Sequence, residues 1–85
     1  MTIIQEAILK AYEVHCERVN LVLLSVVRRA VPVSRTTFDS ALRELRKDGI
    51  VVLNSFDGRH GRLSQEDIEA AILEGGRRYE YMSLR

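Results

Sequence analysis

The 85-residue chain reads as an α+β domain, mainly helical: a three-helix core joined to a small antiparallel β-sheet, with one extra short helix between the sheet strands. Three observations predict this class. The first half carries three apolar stripes at i, i+3, i+4 spacing, each set off by a capping or breaking residue. The second half carries a β-branched run at residues 50–53 and an alternating run at 77–85. Between those runs lie a segment of turn residues and a fourth, shorter capped stripe. A chain of this length encloses one core, so residues 1–85 form a single domain and a two-domain enzyme is excluded.

Thr2 followed by Gln5 is a capping-box pattern, in which each side chain satisfies the other residue's free amide, so helix one begins there. At about 100° per residue, Ile4, Ile8, Ala11, Tyr12, His15 and Val19 share one face and Glu6, Lys10, Glu13 and Glu17 the opposite one. His15 is expected at the core edge. Ile3, Ala7 and Val14 on one flank, with Leu9 and Cys16 on the other, make the apolar arc wider than one core contact requires. Residues 18–22, around Asn20, are compatible with a short strand or a turn. Leu23, Val26, Val27 and Ala30 space a short second helix, which Val31-Pro32 ends because the residue before proline resists the helical region.

Ser34 caps a third helix that runs through Leu45 to Asp48, with Phe38, Ala41, Leu42 and Leu45 inward and Gly49 just past its end. Residues 50–53 form a strand, and 54–61 an exposed loop. Ser64 and Asp67 open a short acidic fourth helix carrying Ile68, Ala71 and Ile72, closed by Gly75-Gly76. Residues 77–85 make a final strand antiparallel to 50–53, with Arg77, Tyr79, Tyr81, Ser83 and Arg85 on one face and Arg78, Glu80, Met82 and Leu84 on the other. No multi-stranded aromatic platform accompanies Tyr79 and Tyr81, so they are expected in or beside the core rather than stacked on bases.

Composition removes several function classes. With 13 Lys and Arg against 12 Asp and Glu the net charge is +1, so polyanion binding has to come from local placement. The apolar run at 21–27 is interrupted by Ser25 and followed by Arg28-Arg29, too short to span a bilayer, and no signal peptide precedes it. One cysteine, Cys16, forbids an internal disulfide, and the cytoplasm is the expected compartment. His15 and Cys16 point about 100° apart on a helix without a ligand three or four residues on, so no metal site is expected. None of the serines has a neighbouring His and acid, and residues 58–61 lack the phosphate-loop pattern, so neither catalysis nor a cofactor is expected.

The order helix, possible strand, short helix, Val-Pro turn, long helix, strand, loop, strand resembles the winged helix-turn-helix family of DNA-binding domains. The likeness covers most of the chain and is most specific over residues 23–53, LLSVVRRAVPVSRTTFDSALRELRKDGIVVL. It implies that the helix opening at Ser34 enters the major groove and that Arg59, His60 and Arg62 sit at a wing tip, against phosphates or in the minor groove. One departure stands out: an acidic helix lies between the wing strands, where the usual wing is a plain hairpin.

The third helix bears on this independently. With Phe38 at 0°, Thr36, Ser40, Arg43 and Lys47 project at about 140–200°, opposite the apolar stripe, and Arg35 joins them at the first turn. Arginine can donate twice to guanine, hydroxyls can bond bases or phosphates, and lysine neutralises phosphate, so the row has groove-reading chemistry. Charge placement agrees: residues 35–62 carry six Lys and Arg (Arg35, Arg43, Arg46, Lys47, Arg59, Arg62) against four acids (Asp39, Glu44, Asp48, Asp57). The expected function is double-stranded DNA binding for transcriptional regulation, as a homodimer through the first helix. Arg35, Thr36, Ser40, Arg43 and Lys47 serve the groove, and Arg59 and Arg62 the backbone. The competing expectation is a winged-helix module that docks onto another protein in a larger assembly, which the near-neutral charge favours.

Overall fold

The structure, a computed structural model, describes residues 1–16, 20–56 and 62–85. Its elements run α1 (Ile3–His15), β1 (Val22–Leu23), α2 (Leu24–Ala30), α3 (Arg35–Lys47), β2 (Val51–Asn54), α4 (Gln65–Ala70), β3 (Ile72–Glu74), β4 (Arg77–Tyr79) and β5 (Tyr81–Leu84). About half of the chain is helical, and the class is α+β with a small antiparallel sheet.

The starts of α1, α3 and α4 follow from their side-chain caps, while α2 is entered directly from β1 without one. The Thr2 hydroxyl accepts from the Gln5 amide at 3.1 Å while the Thr2 amide donates to Gln5 Oε1 at 2.9 Å, completing the box at the head of α1. Ser34 Oγ accepts from the Thr37 amide at 3.2 Å at the head of α3. That helix stops by wrapping its last carbonyls: the amide of Gly49, at φ +76°, donates to Arg46 O, and the Ile50 amide donates to Leu45 O. This pair of bonds needs a left-handed residue at position 49, which glycine adopts without steric cost. The chain is thereby turned directly into β2.

Of the segment 18–22, Val22 is strand and residues 18–19 lie outside the described residues; Leu23, expected in the second helix, is the other residue of that strand and the N-cap of α2. β1 pairs with β5 through Val22↔Met82 and Leu23↔Tyr81, and β5 pairs with β2 from Val51↔Leu84 to Asn54↔Tyr81, giving the antiparallel order β1-β5-β2. The pairing of the C-terminal run with residues 50–53 is as expected. The core lies between this sheet and α1, α2 and α3, with Ile8, Leu24, Val27, Phe38, Leu42, Leu45, Val51 and Met82 fully enclosed.

Three expectations are corrected. The fourth helix does not run to Gly75-Gly76. It ends at Ala70, because Ile72 must reach the core and the chain turns extended at Ala71 to bring it there. The two glycines, both at positive φ, instead form the two-residue turn of a β3-β4 hairpin, in which Glu74 faces Arg77. The final run is two strands rather than one, broken at Glu80. That side chain is 3% exposed and accepts from the Phe56 amide and from Arg78 Nε, both at 2.7 Å, which anchors the crossing from hairpin to sheet. His15 is exposed rather than at the core edge. Tyr79 packs against the core, as expected.

Among the described residues no helix is long and apolar enough to cross a membrane, and no three His, Cys, Asp or Glu side chains gather into a metal-holding group.

Candidate nucleic-acid interface

The apolar stripe of α3 fixes what its other sides do. Phe38, Leu42 and Leu45 are pinned in the core, so the opposite side must face solvent, and Thr36, Ser40, Arg43 and Lys47 are all exposed there. On one flank the start of α1 approaches α3, leaving an open groove lined by Thr2, Ile4, Gln5, Thr36, Thr37, Ser40, Ala41 and Glu44. The other flank is occupied by α4 and the β3-β4 hairpin, which lie along α2 and α3 and are held there by a row of arginines.

Arg28 is the centre of that row. Its Nε donates to Ala70 O at 2.7 Å, its Nη2 to Asp39 Oδ1 at 2.6 Å, and its guanidinium sits 4.5 Å from the centroid of Phe38. Arg28 and Asp39 are each only 15% exposed. Burial lowers the Arg28 pKa, but the neighbouring carboxylate opposes the shift and the side chain stays a cation. Beside it, Ser25 Oγ donates to Asp67 Oδ1 at 2.5 Å, and Asp67 also accepts from the Ser64 amide as the partner residue of the α4 capping box.

The Ser25 bond is the main reason that the Asp67 carboxyl is held below the ordinary aspartate value. A group with a depressed folded pKa gives stability above its unfolded pKa and loses it as pH falls through the folded one. Asp67→Asn is therefore expected to be less stable than the native chain above about pH 5, with the gap closing below about pH 4. Urea unfolding across that range checks it, and a gap independent of pH contradicts it.

The expected site residues divide accordingly. Arg35, at the first turn, is exposed but turned toward α4, where Nη1 donates to Glu69 O at 2.6 Å and Nη2 to Ala71 O at 2.7 Å. Its Nε lies 3.7 Å from Asp39. It is thus committed to the fold more than to the open row. Thr36, Ser40, Arg43 and Lys47 are brought together on one exposed strip. Arg43 is 51% exposed, with its Nε 3.7 Å from Glu74 Oε2. Arg62 is exposed ahead of α4. Arg59 and His60 lie outside the described residues.

Sequence reading missed the paired side chains: Arg28, Arg29, Arg46, Glu66 and Glu74. Arg46 Nη1 meets Glu74 Oε1 at 2.5 Å and its guanidinium stands 5.3 Å from the Tyr79 ring, while Arg29 meets Glu66. A signal existed for Arg28 alone. It follows Leu24 by four residues and so falls on the buried stripe of α2, where a cation has to find a partner.

Comparison with protein-family models, with curated proteins and with solved structures finds no match for this chain.

Proposed function

We propose that this chain is a winged helix-turn-helix domain that binds double-stranded DNA as a homodimer and serves transcriptional regulation in the cytoplasm. The observation that carries the reading is the exposed strip Thr36, Ser40, Arg43 and Lys47 on α3, opposite the face that packs in the core. A helix held by its apolar side, with hydroxyls and cations outward, has the side chains that major-groove edges and phosphates call for. The sheet order β1-β5-β2 supports it as well: the strand before α2 and the strand after α3 both pair with the C-terminal strand, as a helix-turn-helix backed by a small sheet requires. Arg62 joins the backbone contacts and Arg59 is assigned to them from the sequence. Arg35 contributes in a lesser role, since α4 holds its guanidinium.

The dimer reading rests on α1. Ile3 is 82% exposed and Val14 68%, and Val14 lies in a shallow groove with Ala7, Ala11 and Ala30 that Lys10 and His15 border. Two α3 helices would then reach half-sites about 34 Å apart. Light scattering at micromolar concentration should give about twice the 9.7 kDa chain mass, and Val14→Glu should return the monomer. A monomeric native chain overturns the dimer. Binding of a random duplex at low salt tests the function itself, with Arg43→Ala plus Lys47→Ala as the variant that must bind more weakly.

The second reading, a winged-helix module that docks on a protein partner, is favoured by one observation: Arg28, Arg29, Arg35, Arg43 and Arg46 all face carboxylates of the chain itself. No binding to any duplex at low salt would favour it.

A further inference from the structure

Helix α4 and the β3-β4 hairpin place two exposed carboxylates against arginines of α2 and α3. Glu74, on the β3-β4 hairpin, lies between Arg43 and Arg46 of α3, with Oε2 3.7 Å from Arg43 Nε and Oε1 2.5 Å from Arg46 Nη1. Glu66, in the first turn of α4, pairs with Arg29 at the end of α2. Each is an anion fixed against guanidinium groups on the outer edge of the two helices that form the helix-turn-helix. Resting on the DNA-binding reading, we propose that Glu74 and Glu66 are internal phosphate surrogates: they occupy Arg43, Arg46 and Arg29 so that sequence-independent backbone attraction is held down and the strip on α3 decides where the protein stays.

The two acids cannot withdraw by unfolding their segment, because Ala70, Ala71 and Ile72 beside them are buried in the core. Their side chains are another matter. All three ion pairs lie at the surface, Arg46 being the least exposed at 33%, and a surface ion pair is weak and readily exchanged, so an incoming phosphate competes with the carboxylate at the level of the side chain alone. The arrangement lowers the number of counterion-releasing contacts without removing a single arginine, and this number sets both non-specific affinity and its salt dependence. The acidic insertion and the near-balanced charge of the chain then have one shared consequence, a weak hold on arbitrary duplex.

Glu66→Gln with Glu74→Gln, made in the full chain, tests this against a random duplex over a range of salt. The variant is expected to bind on the order of tenfold more tightly at moderate salt, with the slope of log K against log salt steeper by about one for each arginine that gains a phosphate. Glu6→Gln with Glu13→Gln, the same charge change on the exposed side of α1, should leave the slope as it is. If the double glutamine variant matches the native protein while Arg43→Ala with Lys47→Ala weakens binding, the surrogate role is wrong and the DNA reading stands. If the glutamine variant alone binds the random duplex, the surrogate role stands, since Glu66 and Glu74 then set the native chain's hold on arbitrary sequence. If neither protein binds, both are wrong.

Discussion

Replacing Arg28 by alanine is expected to lower the unfolding free energy by about 2–4 kcal/mol, the cost of leaving buried polar partners unpaired. Three losses combine. Asp39, 15% exposed, keeps only the more distant Arg35, the Ala70 carbonyl loses its donor, and the face of Phe38 loses the guanidinium and stem that cover it. The surviving Arg35 contact places the effect below the cost of a wholly orphaned buried charge. Asp39→Ala added to Arg28→Ala should restore part of the loss, because no carboxylate then remains to be satisfied. Urea unfolding of the single and double variants reads this directly. A loss below about 0.5 kcal/mol would place the pair among ordinary surface ion pairs and would mean that Arg28 does little to hold α4 to α2.

The same arginine shows where sequence reading succeeds and where it stops. Local signals delivered the helices: Thr2 with Gln5, Ser34, Pro32 and Gly49 each act on backbone within a few residues, and the stripes Ile8-Ala11-Tyr12 and Phe38-Leu42-Leu45 declare their buried faces by spacing. Val22 stays open between strand and turn and Leu23 reads as helix, because two residues show no period and only pairing with Met82 and Tyr81 makes them a strand. Gly75-Gly76 was misread because a helix stop and a tight hairpin turn ask for the same residue. The open strip of α3 was legible, since it follows from the wheel once Phe38 is known to be inside. Its flanks were not. Arg43 and Arg46 meet Glu74, Arg29 meets Glu66 and Arg35 meets the main-chain carbonyl of Glu69 across 28 to 37 positions of sequence, and no local pattern brings such partners together at that range.

The second large effect is on binding. Removing the Arg43 and Lys47 side chains takes from each protomer one guanidinium with donors for a base edge or phosphate and one ammonium for phosphate, on a side of α3 that makes no core contact. Folding should therefore be nearly unchanged while binding falls. An arginine that reads a base is worth about 1–3 kcal/mol, and a lysine on a phosphate changes the salt slope by about one. Glu74 tempers Arg43 but leaves half of its side chain accessible. A dimer with three or four phosphate contacts per protomer should show a slope of log K against log salt of roughly −5 to −7, and the double variant a slope shallower by about two to four.

The decisive measurement is a salt titration of duplex DNA binding, by fluorescence anisotropy, for the native chain and for Arg43→Ala with Lys47→Ala. The exposed strip on α3 predicts salt-dependent binding that the double variant loses while keeping its native fold. Equal affinity and equal slope in the two proteins would contradict it.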